Sequence, residues 1–183
     1  MLINKMPAGL EGSIEIYRYG SELRVLVNGN KLDYLELPSL LREPFQAELI
    51  ADQAALNCIK FDMRVSDPDE IEKRFVACRY GALDSTPDLA GNKTCSDAPY
   101  CDCLSTCPGF DVVCKIPPVP NGRLTRQEYL IIRLISQGKL DKEIASELSI
   151  EVSTVRTYLC RIREKLCINN RIEIAFWAMQ KGV

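Results

Sequence analysis

Five cysteines crowd residues 95–114, CSDAPYCDCLSTCPGFDVVC, in a chain that contains no histidine. Thiols at this density support a disulfide framework, a nucleophile site, a metal cage or redox sensing. A catalytic thiol usually needs a base beside it, most often an imidazole, and the chain has none. No motif frames a carboxylate pair in that role, so the chain is expected not to be an enzyme. Disulfide frameworks belong to oxidising compartments. The start, MLINKMPAGLEGS, lacks the apolar stretch of a secretory signal, and no apolar run approaches the length of a bilayer span. The expected compartment is the cytoplasm, where thiols stay reduced, and nine cysteines is an odd number for complete pairing.

A metal cage suits the pattern better. Closely spaced thiolates bind zinc tetrahedrally and pin loops that have no core of their own. Cys101, Cys103, Cys107 and Cys114 follow the spacing C-x-C-x3-C-x6-C, with Cys78 as a fourth or alternative ligand delivered from a helix end. The plainer reading of Cys78 is core packing beside Phe75. Structural zinc is the expectation. An iron–sulfur cluster needs the same four thiolates, and transient disulfide sensing is a third option. Cys95 is left unligated, while Cys58, Cys160 and Cys167 read as small buried hydrophobes.

These thiols need elements to position them. Hydrophobic residues make up 46% of the 183 and charged residues 26%, an ordinary balance for a packed globular chain. The net charge of −2 hides a division: residues 1–120 carry 12 basic against 18 acidic side chains, and residues 121–183 carry 11 against 7. The sign changes at IPPVPNG, residues 116–122, whose prolines favour an extended spacer. Three parts follow: an α+β domain over 1–115 that contains the cysteines, a linker over 116–122, and a basic domain over 123–183. Ile14 and Ile16, then Leu23, Val25 and Val27, then Leu35 and Leu37 alternate with polar neighbours, which predicts a three-stranded antiparallel meander. Asn28-Gly29 is a type I′ turn signal. One helix is predicted from Pro44, with Phe45, Leu49 and Leu56 on one face. Another starts at Asp67-Pro68 with Glu70 in the first turn, buries Ile71, Phe75 and Cys78, and ends near Gly81. The stretch ALDSTPDLAGNKT and the cysteine segment read as loop.

Residues 124–178 parse as four short helices. Thr125 and Glu128 form a capping box for the first, which buries Ile131, Ile132 and Ile135 and stops at Gly138. The second buries Ile144, Ala145 and Leu148. The third, from about Val152 to Lys165, buries Val155, Leu159, Ile162 and Leu166. The fourth, RIEIAFWAMQ, is apolar enough to pack and still keep a sticky face. A short pair joined by a tight turn, followed by a basic helix, is helix-turn-helix geometry. Thr154, Arg156, Thr157, Arg161, Arg163 and Lys165 lie on or beside the polar side of the third helix, where they can reach phosphates and base edges.

With LT..E at 124–128, QG at 137–138, KEIA at 142–145, TV at 154–155, KL at 165–166 and NRIEIA at 170–175, this last third resembles the LuxR-type, or GerE-like, DNA-binding domain. The resemblance implies an all-α four-helix fold, a third helix in the major groove of double-stranded DNA, and homodimers paired through the fourth helix. It also implies Lys142 and Thr154 on phosphate, with Arg156 and Thr157 facing bases. Departures are Leu140 at the usual serine cap, where Asp141 must cap instead or the helix start later, Glu151-Val152 before the third helix, and Tyr158 and Cys160 within it. The function expected is transcriptional regulation. An adaptor that binds protein through the same helices is the alternative. Residues 1–120 lack the βα repeat of a phosphoacceptor receiver, and 7% aromatic content does not suggest an autoinducer pocket. Their input is therefore unassigned.

Overall fold

The computed structural model describes residues 13–183. Residues 1–12, the head of the expected N-terminal domain, lie outside them. The chain forms two compact units. The first takes the chain through Pro99 and again over Pro108–Lys115, and the second takes Tyr100–Cys107 and Ile116–Val183. The cysteine segment is therefore divided, and Tyr100–Cys107 belongs with the C-terminal helices rather than with the α+β part.

In the first unit, β1 (Ile14–Tyr19), β2 (Glu22–Val27) and β3 (Asn30–Asp33) make the meander. Asn28 and Gly29 both take positive φ, 49° and 77°, so the turn has the left-handed backbone that asparagine and glycine tolerate. Leu35 and Leu37 do not extend β3. Asp33 accepts the Leu35 N–H while Glu36 Oε2 accepts the Asp33 N–H, and this reciprocal cap winds Tyr34–Glu36 into a 3-10 turn. The stretch expected as loop adds a small hairpin, β4 (Leu89–Ala90) and β5 (Lys93–Thr94), giving the sheet order β3-β2-β1-β4-β5.

Helix α1 (Ser39–Ala51) begins five residues before Pro44 and runs through it. It ends before Leu56, because the Asp52 carboxylate accepts the Ala55 N–H and starts α2 (Gln53–Asn57). Phe45 and Leu49 are buried as expected. Helix α3 (Pro68–Arg79) starts as its signals require, with Asp67 accepting the Glu70 N–H at 3.0 Å. It packs on the core with Ile71, Phe75 and Val76. Gly81 follows the helix end, and a Cβ there would stand 2.5 Å from the Ala77 carbonyl oxygen, so only glycine fits.

Two buried ionic hubs hold helices together in this unit. Glu72 takes hydrogen bonds from Tyr34, Arg42 and Gln46. Arg79, 3% exposed, reaches Glu48 Oε1 at 2.6 Å, Asp52 Oδ2 at 2.8 Å and the Val113 carbonyl at 2.9 Å. Charges this buried are tolerable because each guanidinium nitrogen of Arg79 finds an acceptor. The Val113 contact also anchors Pro108–Lys115, with the Val113 side chain in the core.

The second unit contains α4 (Arg126–Ser136), α5 (Asp141–Glu147), α6 (Val152–Leu166) and α7 (Arg171–Gln180). Helix α4 packs on α7 and α5 on α6. Tyr129, Ile131, Ile132, Ile135, Ile144, Val155, Ile162 and Ile174 form its core. Leu148 and Leu159 are half-buried at its edge.

Candidate nucleic-acid interface

Helix α6 is two-faced because its apolar residues recur at helical spacing. Val155, Ile162 and Leu166 are buried, with Leu159 partly so, which turns Ser153, Arg156, Thr157, Cys160, Arg161 and Glu164 to solvent. The lead-in turn places Ser149 at φ 53°, so the chain reverses sharply between α5 and α6.

The start of α5 departs from both expectations for its cap. Leu140 occupies the cap position, and Glu143 Oε2 reaches back to its N–H at 2.6 Å. Asp141 is used otherwise, since its Oδ1 accepts Arg171 Nη1 of α7 at 2.5 Å. Arg171 also bonds the Lys139 carbonyl, so one guanidinium ties α7 to the head of α5.

The six residues expected on DNA divide into two groups. Arg156, Thr157 and Arg161 stand exposed on one side of α6, Thr154 is half-buried at its start, and Lys142 is exposed on α5. Thr157 Oγ1 donates to the Ser153 carbonyl at 3.1 Å, and the Arg161 guanidinium lies 5.8 Å from the Tyr158 ring. Lys165 is engaged within the unit. Its ammonium donates to Glu128 Oε2 at 2.6 Å and to the Arg123 carbonyl at 2.8 Å. Arg163 is likewise occupied, by the carbonyls of Leu159 and Asn169 and by Cys160 Sγ.

Glu128, 1% exposed, also completes the Thr125 capping box. Burial alone would raise its pKa, but the Lys165 ammonium and the Thr125 donors outweigh that and hold it below the ordinary value. Glu128 therefore couples the first turn of α4 to the last turn of α6. Glu128→Ala is expected to destabilise this unit by about 2 kcal/mol, from the lost cap and the stranded ammonium. Urea unfolding followed by the fluorescence of Trp177, in α7, measures it.

A further cap was not legible. Asn121, from the proline-rich linker, donates its N–H to the Lys165 carbonyl at 2.9 Å and Nδ2 to the Glu164 carbonyl at 3.1 Å. Carbonyls at a helix end lack partners within the helix, and the linker supplies them. The sequence reading placed Asn121 in an extended spacer, with no sign of this role.

The cysteines of the expected metal site are divided between the two units. Cys101, Cys103 and Cys107 lie in the second unit, while Cys78 and Cys114 lie in the first. Among the described residues no three Cys, Asp or Glu side chains are grouped so as to hold a metal ion. All nine cysteines are thiols rather than disulfides. Cys160 and Cys167, expected to be buried, are exposed, Cys160 because it falls off the apolar stripe of α6 and Cys167 at the left-handed cap that ends the helix. The loop Tyr100–Cys107 is held by arginines of α4. Arg126 donates to the carbonyls of Ser105 and Cys107 at 3.0 and 2.7 Å, and Arg133 to that of Cys101 at 2.8 Å. Leu104, 1% exposed, lines a cleft with Leu130, Leu134 and Leu148.

A capped four-helix unit with a tight turn between α5 and α6, and a solvent-facing polar stripe on α6, is a helix-turn-helix domain. Residues 122–178 are a domain of the luxR family of bacterial regulatory proteins, which they match in sequence. The chain is 48% identical over 59 residues to the transcriptional regulatory protein DesR of Bacillus subtilis, covering 32% of this chain and 30% of DesR. It is 40% identical over 60 residues to the transcriptional regulatory protein LiaR of the same organism, covering 33% and 28%. A longer, weaker likeness, 26% identical over 165 residues, joins it to the uncharacterized response regulatory protein YgeK of Escherichia coli, covering 90% of this chain and 97% of YgeK. The chain thus spans less than a third of the length of DesR and LiaR.

Proposed function

We propose that this chain is a sequence-specific DNA-binding transcriptional regulator of the cytoplasm. On this reading α6 lies in the major groove, Arg156 and Thr157 face base edges, and Lys142, Thr154 and Arg161 meet phosphates. The observation that carries it is the set Arg156, Thr157 and Arg161, exposed on α6 away from or flanking its buried stripe. Lys165, committed to Glu128, positions α6 instead of touching DNA.

The active form on this reading is a homodimer. Ile172, Phe176 and Met179 are 80%, 61% and 70% exposed at helical spacing on α7, and burying that stripe against a second copy removes it from water. The test is titration of a duplex selected from a random pool, at several salt concentrations. Affinity is expected to fall steeply as salt rises, through release of condensed counterions. Binding that ignores salt and duplex sequence would sink the proposal. Phe176→Asp is expected to weaken self-association in sedimentation without unfolding the domain.

A further inference from the structure

Within Tyr100–Cys107 the sulfurs of Cys101 and Cys103 stand 3.6 Å apart. Cys103 is exposed and Cys101 half-buried, so a dissolved oxidant reaches Cys103 first. We propose that Cys101 and Cys103 are a reversible dithiol–disulfide pair closed by a hydroperoxide, with Cys103 the attacked thiol and Cys101 the resolving one. The pairing stands apart from the DNA-binding reading and survives its failure.

The chemistry balances with the peroxide as the sole oxidant. The Cys103 thiolate attacks one peroxide oxygen and the O–O bond breaks. The leaving oxygen departs as an alcohol, or as water when the oxidant is hydrogen peroxide, and Cys103 becomes a sulfenic acid. The Cys101 thiolate then attacks the Cys103 sulfur, an S–S bond forms, and the sulfenic oxygen leaves as water with the remaining proton. Two thiols supply the two electrons that reduce the peroxide. A cellular thiol reverses the step by exchange, and exposed disulfides belong to the labile, regulatory kind.

The loop geometry gives closure a consequence. A disulfide brings sulfurs to about 2.05 Å, which here shortens the separation by about 1.5 Å. The ring that forms contains Asp102, whose carboxylate lies 3.7 Å from Arg133, and the Cys101 carbonyl that Arg133 holds at 2.8 Å. The Cys103 carbonyl accepts the N–H groups of Thr106 and Cys107, at 3.1 and 2.9 Å. Tightening the ring therefore pulls on the contacts that seat the loop against α4.

The full-length protein is reduced, freed of reductant and treated with graded hydrogen peroxide. Remaining thiols are alkylated and mapped by mass spectrometry, and amide exchange is followed in parallel. The expected product is a peptide lighter by two hydrogens that spans Cys101 and Cys103, resists alkylation and is restored by dithiothreitol. Cys103→Ser is expected to abolish it and leave Cys101 alkylatable, and exchange over residues 100–107 is expected to quicken in the oxidised protein. The exposed thiols Cys95, Cys160 and Cys167 serve as internal references. The proposal is overturned if those three oxidise while Cys101 and Cys103 stay alkylatable, or if exchange over the loop is unchanged after closure. It also fails if a stoichiometric zinc ion must be chelated from the two sulfurs before they react.

Discussion

Arg156→Ala is expected to weaken binding to the selected operator about 10- to 100-fold while leaving affinity for unrelated duplex within a few-fold. A bidentate arginine contact to a guanine edge contributes about 1–3 kcal/mol of discrimination, and its loss falls on the matched sequence. Arg156 is suited to that role because it is exposed and makes no ion pair within the described residues. Among the described residues no carboxylate has to release its guanidinium before it meets a base. Lys142→Ala supplies the contrast. A phosphate contact carries no sequence information, so its loss is expected to weaken all duplexes about equally and to reduce the salt slope by about 1. Fluorescence anisotropy on matched and scrambled duplexes separates the two patterns. If both variants behave alike, the assignment of roles along α5 and α6 is wrong.

The second large effect is in the other unit and concerns pH. Glu15 and Asp88 are both 0% exposed, and one oxygen of each, Oε2 and Oδ1, has no hydrogen-bond partner. Their other oxygens accept the N–H groups of Asp84 and Ile16, at 2.8 and 2.6 Å. Asp97 joins the group and accepts the Ala82 N–H at 2.7 Å. Burial, helped by the neighbouring carboxylates, pushes Glu15 up to about 8. Asp88 and Asp97 move upward for the same first reason, loss of water.

A folded state whose carboxyls are raised holds protons that the unfolded chain has already released. Stability is then complete below the ordinary carboxylate range and falls as pH rises toward about 8. Each retained proton adds a slope of about 1.4 kcal/mol per pH unit across that window. Urea unfolding followed by far-ultraviolet circular dichroism is expected to show the first unit weakening between mildly acidic and mildly alkaline buffer. Trp177 fluorescence reports the second unit separately. Asp88→Asn is expected to flatten the dependence, because the amide keeps an acceptor for Ile16 and cannot ionise. A first unit equally stable throughout would contradict the buried, protonated cluster.

What was legible in the sequence followed from local chemistry. The caps at Asp67 and Thr125 and the Asn28-Gly29 turn each act within four residues, and all stand where they were expected. The stripe Val155, Ile162 and Leu166 repeats at the helical period, so it declared both faces of α6. Long-range pairing was not legible. Glu15 lies between two core isoleucines in an alternating strand, a pattern that assigns it to solvent, yet it is buried and takes the Asp84 N–H from the segment before β4. Lys165 had the charge and the helix for a DNA contact, and its bond to Glu128, 37 residues away, left no trace in the local pattern. The arginine hold on the cysteine loop was hidden for a related reason, since the helical positions of Arg126 and Arg133 carry no mark of a partner 19 to 32 residues upstream.

The division of the cysteine segment bears on how this molecule can be dissected. A cut at the proline-rich linker strips Arg126 and Arg133 of the carbonyls they clasp, and leaves Leu130 and Leu134 without Leu104. A cut before Tyr100 keeps those contacts but carries off Val113, and with it the acceptor for Arg79. No single scission yields two intact halves, so a chimera that borrows the reading head must inherit residues 100–115 as shared property of both.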